Sequence, residues 1–323
     1  LSPEITRSIR SKDWVRLRCG LNKVPNDPRV VWGTGPGMIV DRRSFLVIAS
    51  AIGAVAAAGC AGEARPVDGD SPRRSGLWDR WVPGSKREVD HGPLATLLYR
   101  HILKRSDGVH LFAYGDLTVA ERGSLDRYIH DLAGFAIDSL DRREQFAFWL
   151  NLYNALVLRL VLSRYLVLSI QDIDFGVGPF GAGPFDRKLV AVLGQPLGLA
   201  DIRNGILWPI FNDPRMNYGL CDAAIGSPNL QPRVFTGHRV DRMLDGAALD
   251  YVNHPRGVRL EERHLVLSRL YEWRGNDFGG APAGVLAHLR QYAGPGLAPE
   301  LKAETSVLFE FDWSLNDGTG LRK

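Results

Sequence analysis

Residues 142–162 read RREQFAFWLNLYNALVLRLVL, and this stretch decides the fold. Apolar side chains cover almost its whole circumference at helical spacing, and a helix that is apolar all round is a buried one. Asp141 stands in the N-cap position and Glu144 follows three residues later, which is the pattern of a capping box. The stretch therefore predicts a buried central helix that begins at Arg142.

The segments around this helix predict a mixture of helices and short strands. Helical spacing indicates further helices over 94–104, 123–133, 199–208 and 239–252, while 188–193 and 216–221 are typical of strands and 109–117 of a strand or loop. Residues 258–267 predict a β-hairpin with its turn at 261–263. Segregated helices with local hairpins favour an α+β fold, a single domain whose central helix packs on a small antiparallel sheet.

The N-terminal part of the chain resembles a bacterial export signal. Arg42-Arg43-Ser44-Phe45-Leu46 is similar to the twin-arginine motif, although Asp41 departs from the usual Ser or Thr. The apolar run over 45–59 is shorter than the ~20 residues that a membrane-spanning helix needs. Ala57-Ala58-Gly59-Cys60 resembles the box at which lipoproteins are cut before a lipid-bearing Cys. Plain cleavage after Ala58 and a buried helix of the fold are the alternatives.

These features predict the organisation of the whole chain. Residues 1–37 are expected to be an upstream extension, because Met38 stands where translation would start, and 38–59 to be the signal peptide. Residues 60–90, rich in Gly, Pro, Ser and charge, predict a flexible tether. Residues 91–300 are expected to form the domain and 301–323 a C-terminal tail. The protein is then lipid-anchored through Cys60 on the periplasmic side of the envelope, with its membrane as one partner.

The distribution of charge argues against nucleic acid as a partner. The chain has a net charge of +4, but residues 1–59 alone carry +5, so the remainder carries −1. A domain without a basic excess lacks the electrostatic footprint that phosphate backbones require.

Of the three Cys, only Cys221 lies inside the predicted domain, so no internal disulfide is expected there. A protein or peptide partner is left open.

Three sequence blocks carry a family resemblance. They are Glu144-Gln145-Phe146-Ala147-Phe148-Trp149-Leu150-Asn151-Leu152-Tyr153-Asn154-Ala155-Leu156, Phe211-Asn212-Asp213-Pro214-Arg215 and Gly226-Ser227-Pro228-Asn229-Leu230. Together with 202–207 and 273–278 they resemble the bacterial domain-of-unknown-function 547 family over about 94–292. The resemblance implies an exported protein and, as in some members, a fold like that of papain-like cysteine peptidases.

The positions that carry reactive groups in this family differ here. Typical members have His, Cys and a second Cys where this chain has Asn217, Asp222 and Ser227. Cys221 is a thiol displaced by one residue, and on a strand it would face away from the family position unless a bulge at Gly219 turned it. Asp222 beside it also opposes formation of a thiolate.

Two interpretations of function follow. The first is a non-catalytic domain that binds or scaffolds, with Asn151, Asn154, Asp213, Arg215, Asn217 and Asp222 as candidate binding residues. The alternative is a hydrolase or transferase whose displaced nucleophile is Cys221 or Ser227, oriented by Glu144.

Each polar group also has a structural interpretation. Polar groups on a buried helix must find hydrogen bonds, so Glu144, Asn151 and Asn154 could equally tie it to neighbouring backbone. Asp213-Pro214-Arg215 is also typical of a turn with a local ion pair, and Trp273 and Asp277 are candidates for a pocket or for the core.

The remaining motifs predict no cofactor. Residues 176–181 fit a Gly-x-Gly-x-x-Gly string, but Pro179 lies inside it and Gly183-Pro184 follows where a helix should begin, which favours a loop over a nucleotide site. The eight His show no metal-binding spacing, so neither a metal nor a cofactor is expected.

Overall fold

The computed structural model of the protein describes residues 75–174, 183–262, 264–280, 282–302 and 306–321. Residues 142–162 form the predicted central helix. The described residues lie within one compact unit, Ser71–Lys323. The predictions on the upstream extension, the export signal, Cys60 and the loop at 176–181 fall outside the described residues.

The fold is α+β, as predicted. The helices in chain order are α1 (Ser75–Trp78), α2 (Gly92–His101), α3 (Val119–Ala133), α4 (Arg142–Ser163), α5 (Trp208–Phe211), α6 (Met216–Gly219), α7 (Val240–Val252), α8 (Arg269–Trp273) and α9 (Ala283–Tyr292). A π-helical segment, Asp201–Leu207, leads directly into α5. The strands are β1 (Ile102–Lys104), β2 (His110–Phe112), β3 (Val190–Val192), β4 (Gln195–Leu197), β5 (Val258–Glu261), β6 (His264–Ser268) and β7 (Ser306–Glu310).

The strands form three small sheets. β1 pairs antiparallel with β2, and β3 with β4, each over three residue pairs. β5 and β6 form the predicted hairpin, in which Val258 lies opposite Leu267. β7 adds to β6 in parallel, with Leu265 opposite Val307, so the largest sheet is mixed. The sequence predicts the hairpin but not this third strand.

Helix α4 is the centre of the larger of two hydrophobic clusters. Phe148, Leu150 and Tyr153 are fully buried, because α3, α7 and the π-helical segment pack around the helix. The central helix is therefore enclosed mainly by other helices, where we expected a sheet. By length and composition alone α4 could span a membrane, but 89% of its most apolar window is buried inside the domain. In this molecule it is the core helix.

The folded domain extends beyond both predicted boundaries. Within the segment predicted as a tether, Trp78 is buried and packs edge-on against Trp149 with ring centroids 5.4 Å apart. The amide of Gly84 donates to the Asp141 carboxylate at 2.9 Å. Because these groups are fixed by the core helix, residues 75–90 belong to the domain and the tether prediction is wrong for them.

The predicted C-terminal tail is also part of the fold. It contains β7, which pairs with β6. The main chain of Asn316 is also bonded to two distant segments: its N–H donates to the carbonyl of Ala223 at 3.0 Å, and its carbonyl accepts from the amide of Phe112 at 2.8 Å. Asn316 is 2% exposed. The prediction of a separate tail over 301–323 is therefore wrong for its described residues.

Candidate functional site

The polar side chains of α4 are held by backbone groups of three loops. Asn151 donates to the Phe235 carbonyl at 2.8 Å and accepts from the Phe235 amide at 3.0 Å. Asn154 donates to the Gly219 carbonyl at 2.9 Å and accepts from the Cys221 amide at 3.0 Å. Each buried amide thus satisfies one donor and one acceptor of the main chain, which is the structural interpretation weighed above.

Glu144 serves a similar purpose at the start of the helix. Its carboxylate accepts from the amides of Val89 at 3.2 Å and Gly237 at 2.6 Å, and a Cβ added at Gly237 would lie 2.8 Å from that carboxylate. Asp141 is the N-cap, as predicted, but it accepts from the amide of Arg143. The Glu144 carboxylate therefore closes no capping box, and its contacts are with two distant loops.

The segment that contains Cys221 is not a strand. Residues 216–219 form α6, a single helical turn, and Leu220 after it is extended. The amides of Met216, Asn217 and Tyr218 donate to the carbonyls three residues earlier. Asp213 begins this turn, because its side chain accepts from the amide of Arg215 at 2.9 Å, and Pro214 suits a first helical turn. The strand prediction is wrong, and the argument from alternating strand faces does not apply.

Cys221 is nevertheless shielded from solvent. The residue is 3% exposed, and its sulfur accepts from Asn316 Nδ2 at 3.8 Å. Burial raises the pKa of the thiol to about 11, and the charge of Asp222 acts in the same direction. Among the described residues no histidine hydrogen-bonds to this sulfur. At neutral pH the thiol is protonated.

Asp222 lies in a buried polar cluster. Its carboxylate accepts from Tyr153 Oη at 2.6 Å and from Arg203 Nη2 at 2.8 and 3.0 Å. The guanidinium of Arg203 also lies over the Tyr153 ring, 4.9 Å from its centroid. Both Asp222 and Arg203 are 7% exposed. Burial opposes the charge on Arg203, but Asp222 outweighs it and raises the pKa of the guanidinium above its ordinary value.

Asn217 joins the same cluster from α6. Its Nδ2 lies 3.2 Å from the Pro214 carbonyl and 3.2 Å from an oxygen of Asp277. Asp277, whose pKa is raised by burial, interacts electrostatically with Arg203. Two buried atoms of the cluster, Asn217 Oδ1 and Arg203 Nε, have no hydrogen-bond partner among the described residues. We call Tyr153, Arg203, Asn217, Asp222 and Asp277 the buried polar cluster.

Ser227 stands next to this cluster, since its Oγ accepts from the Asp222 amide at 2.9 Å. The residue is 1% exposed. Asp222 and Ser227, at two positions where typical members of the similar family have Cys, are therefore in contact. Asn217, at the position of the His, is connected to them through Asp277 and Arg203.

Asp213 and Arg215 form a separate ionic network at the surface. The guanidinium of Arg215 lies 2.6 Å from Asp213, 3.1 Å from Asp241 and 2.8 Å from Asp245. The hydrogen bonds that Arg215 donates to Asp213 foremost, and also to Asp245, raise the pKa of Arg215 above its ordinary value. The network joins the turn before α6 to α7. It corresponds to the turn with an ion pair that the sequence also allowed.

Arg203 and Tyr153 are the members of the cluster that the sequence analysis did not select. A signal for Arg203 exists, because Leu199, Ile202, Ile206 and Leu207 form an apolar stripe at helical spacing and Arg203 falls on it. A charged residue on a buried stripe requires a partner.

Trp273, the candidate for a pocket or for the core, is 42% exposed. It packs against Phe311 and Trp313, with ring centroids 5.0 and 5.5 Å away.

No group of His, Cys, Asp and Glu in the described part of the chain has an arrangement that could hold a metal ion. Within the buried polar cluster, Arg203 pairs with Asp222, and the Asp277 carboxylate accepts from Asn217 Nδ2. The chemistry that this arrangement supports is ion pairing inside the core.

Residues 137–252 match the model of a family described as "Protein of unknown function, DUF547". The match runs from just before α4 to the end of α7, so it contains the whole buried polar cluster except Asp277. This match supports the resemblance to the domain-of-unknown-function 547 family. No curated protein and no solved structure matches the chain.

Proposed function

We propose that this chain is an exported envelope lipoprotein whose domain binds or scaffolds a partner and does not catalyse a reaction. The ion pair between Asp222 and Arg203, 2.8 Å long and buried on both sides, carries the proposal. It occupies the position where typical members of the similar family have a Cys. A carboxylate committed to a guanidinium and a tyrosine hydroxyl is not free to attack a substrate or to accept a proton.

The environments of the other candidate nucleophiles support the same proposal. The Cys221 thiol is buried and has a pKa of about 11, whereas reactive cysteines are exposed and have a lowered pKa. Ser227 accepts a backbone hydrogen bond and is also buried. In hydrolases an adjacent base activates the nucleophile. No such base is hydrogen-bonded to the Cys221 sulfur or to Ser227 Oγ among the described residues.

Covalent labelling of the folded chain tests the absence of a nucleophile. Iodoacetamide reports on Cys221, and a fluorophosphonate reports on an activated serine at position 227. A single tryptic peptide, 216–233, contains both residues, so mass spectrometry of this peptide separates their labelling from that of Cys19 and Cys60. We expect no label on it in the native state, and full alkylation of Cys221 in denaturant.

The Cys221→Ser variant controls for assignment of the alkylated site, because its denatured form should lose the label on this peptide. Stoichiometric native labelling of Cys221 or Ser227 would overturn the non-catalytic proposal. In the unprocessed full chain, in which Cys60 carries no lipid, labelling of Cys19 or Cys60 shows that iodoacetamide was active and leaves the conclusion unaffected.

A second experiment tests export and lipidation independently of catalysis. Cells that express the chain are grown with radioactive palmitate and then fractionated. We expect label in the membrane fraction, its loss in Cys60→Ala, and retention in the cytoplasm of a variant with Arg42→Lys and Arg43→Lys. A natural N-terminus at Leu1, found by mass spectrometry, would contradict both the signal and the upstream extension.

A further inference from the structure

A second candidate site lies in a groove of about 440 Å³ between α3, the end of α4 and the segment before β3. Four basic side chains and one carboxylate line it among the described residues. The basic ones are Arg122, Arg159, Arg187 and Lys188, and the carboxylate belongs to Asp126. We call this the cationic groove. No residue of the buried polar cluster lines it.

Two of its arginines have no carboxylate within ion-pair distance in the described part of the chain. Arg122 donates only to main-chain carbonyls, those of Leu117 at 3.4 Å and Leu162 at 3.5 Å. Arg159 donates to the carbonyl of Leu189. Burial lowers the pKa of Arg159, and the nearby charge of Asp126 offsets this only in part. A partly desolvated guanidinium without a direct counter-ion favours the approach of an anion.

A second charged groove among the described residues has more of its arginines paired with carboxylates. It has a volume of about 530 Å³ and is lined by Arg256, Arg259 and Arg269. Arg259 lies 2.7 Å from Glu310, and Arg269 lies 3.2 Å from Glu272. Two of the three arginines of that groove are therefore paired with carboxylates, and Arg256 donates to the Ile225 carbonyl and to Asn229 Oδ1. In the cationic groove, Arg122 and Arg159 outnumber Asp126 even when Arg187 and Lys188, which pairs with Asp201, are left out of the count.

The floor of the cationic groove is apolar. Leu125 of α3 and Leu160 and Leu162 of α4 contribute to its lining, with at most 9% of each residue exposed. Its volume lies in the range of ~300–1,000 Å³ that is typical of small-molecule sites. Arginine presents planar donors that match a carboxylate or phosphate. The site thus combines donors for an anionic head group with a small apolar surface.

We propose that the cationic groove binds an organic anion, a carboxylate or phosphate carried on a short apolar group. The head group lies against Arg159 and Arg122, and the apolar part covers the leucine floor. This proposal does not depend on whether the domain is catalytic. Its failure would leave the labelling results at Cys221 and Ser227 untouched, so the two can be told apart.

Isothermal titration calorimetry of the full chain tests the proposal with octanoate and octyl phosphate as probes. The two probes distinguish a carboxylate from a phosphate head group, and octanol is the uncharged control. We expect one or both anions to bind and octanol to bind at least about tenfold more weakly, because the charge-assisted hydrogen bonds are lost.

Arg159→Gln should weaken binding of the anionic probe at least about tenfold. Arg127→Gln, which removes an exposed arginine of α3 outside the groove, should leave binding unchanged. If Arg159→Gln unfolds, which circular dichroism would show, Arg159→Lys and Lys188→Gln keep the test valid, with smaller losses expected for both. Three results would overturn the proposal: unchanged affinity in Arg159→Gln, or in both Arg159→Lys and Lys188→Gln if Arg159→Gln unfolds; equal binding of octanol; or no binding of either anion at millimolar concentration.

Discussion

Replacing Asp222 by Asn removes one charge from the buried polar cluster while it keeps the size of the side chain. Arg203, which is 7% exposed, is then left as a buried cation without its counter-ion. The Tyr153 hydroxyl also exchanges a charged acceptor 2.6 Å away for a neutral one. Breaking a buried pair by removing one partner costs ~3–5 kcal/mol. That is a large share of the ~5–15 kcal/mol that stabilises a typical domain.

Guanidinium chloride unfolding of the full chain, followed by tryptophan fluorescence, measures this loss. We expect Asp222→Asn to lower the denaturation midpoint with little change in slope. The thermal midpoint should fall by roughly 6–20 °C for a domain of this size. Glu310→Gln is the matched control, because the Arg259–Glu310 pair has the similar length of 2.7 Å but leaves 32% and 59% of its side chains exposed. Exposed pairs contribute ~0–1 kcal/mol.

A double variant separates the loss of the pair from the cost of an unpaired charge. Arg203→Met alone should destabilise the fold, but Arg203→Met combined with Asp222→Leu should recover most of the loss. Apolar replacement of a complete buried pair is often close to neutral. If Asp222→Asn costs no more than Glu310→Gln, the reasoning about this ion pair is refuted, and with it the main support for a non-catalytic domain.

Two further predictions concern the second half of the domain. Burial lowers the pKa of His288 from 6.5 to about 4, so the unfolded chain takes up a proton first as the pH falls. The contribution of neutral His288 to the free energy of unfolding is therefore fully present above about pH 6.5, and up to ~3 kcal/mol of it should be lost towards pH 4. The free energy of unfolding should decline less steeply with falling pH in His288→Gln, and identical pH profiles of the two proteins would contradict this. Gly257→Ala would place a Cβ 2.0 Å from the Tyr251 carbonyl oxygen, so we expect a lower melting temperature and a loss of at least ~1–3 kcal/mol. Gly246→Ala, at a helical position in α7 with open space around it, is the control and should stabilise by ~0.5–1 kcal/mol; a similar effect of both substitutions would count against the close contact at Gly257.

The elements that the sequence predicts correctly are those whose pattern is local. Helix α4 was predicted within one residue of its observed end, because an uninterrupted apolar surface over six turns has few other solutions. The β5–β6 hairpin was predicted for a similar reason, since its two strands are adjacent in the chain. Strand β7 was missed because its pairing with β6 joins segments about forty residues apart, and no local spacing encodes that contact.

The error at 216–221 has a different origin. Residues 216–221 carry apolar side chains at alternate positions, and over so short a segment this spacing does not separate a strand from a buried helical turn. The Asp213-Pro214 pair before it is a helix-start signal, but it was interpreted as part of a binding site or as a turn with an ion pair. In the candidate site, Asn217 and Asp222 were selected as candidate binding residues, and both belong to the buried polar cluster; their role in binding stays a prediction. Arg203 was missed because its meaning depends on burial of the stripe on which it lies.

The pairing of residues 306–317 with distant parts of the chain has a consequence for synthesis. These residues provide the second neighbour of β6 and the hydrogen bonds that hold Phe112 and Ala223. While a ribosome has not yet released them, one edge of β6 exposes unpaired amides and carbonyls, and Cys221 lacks its contact with Asn316. The nascent domain can collapse around α4 early, but it cannot complete its native structure until this late segment has emerged.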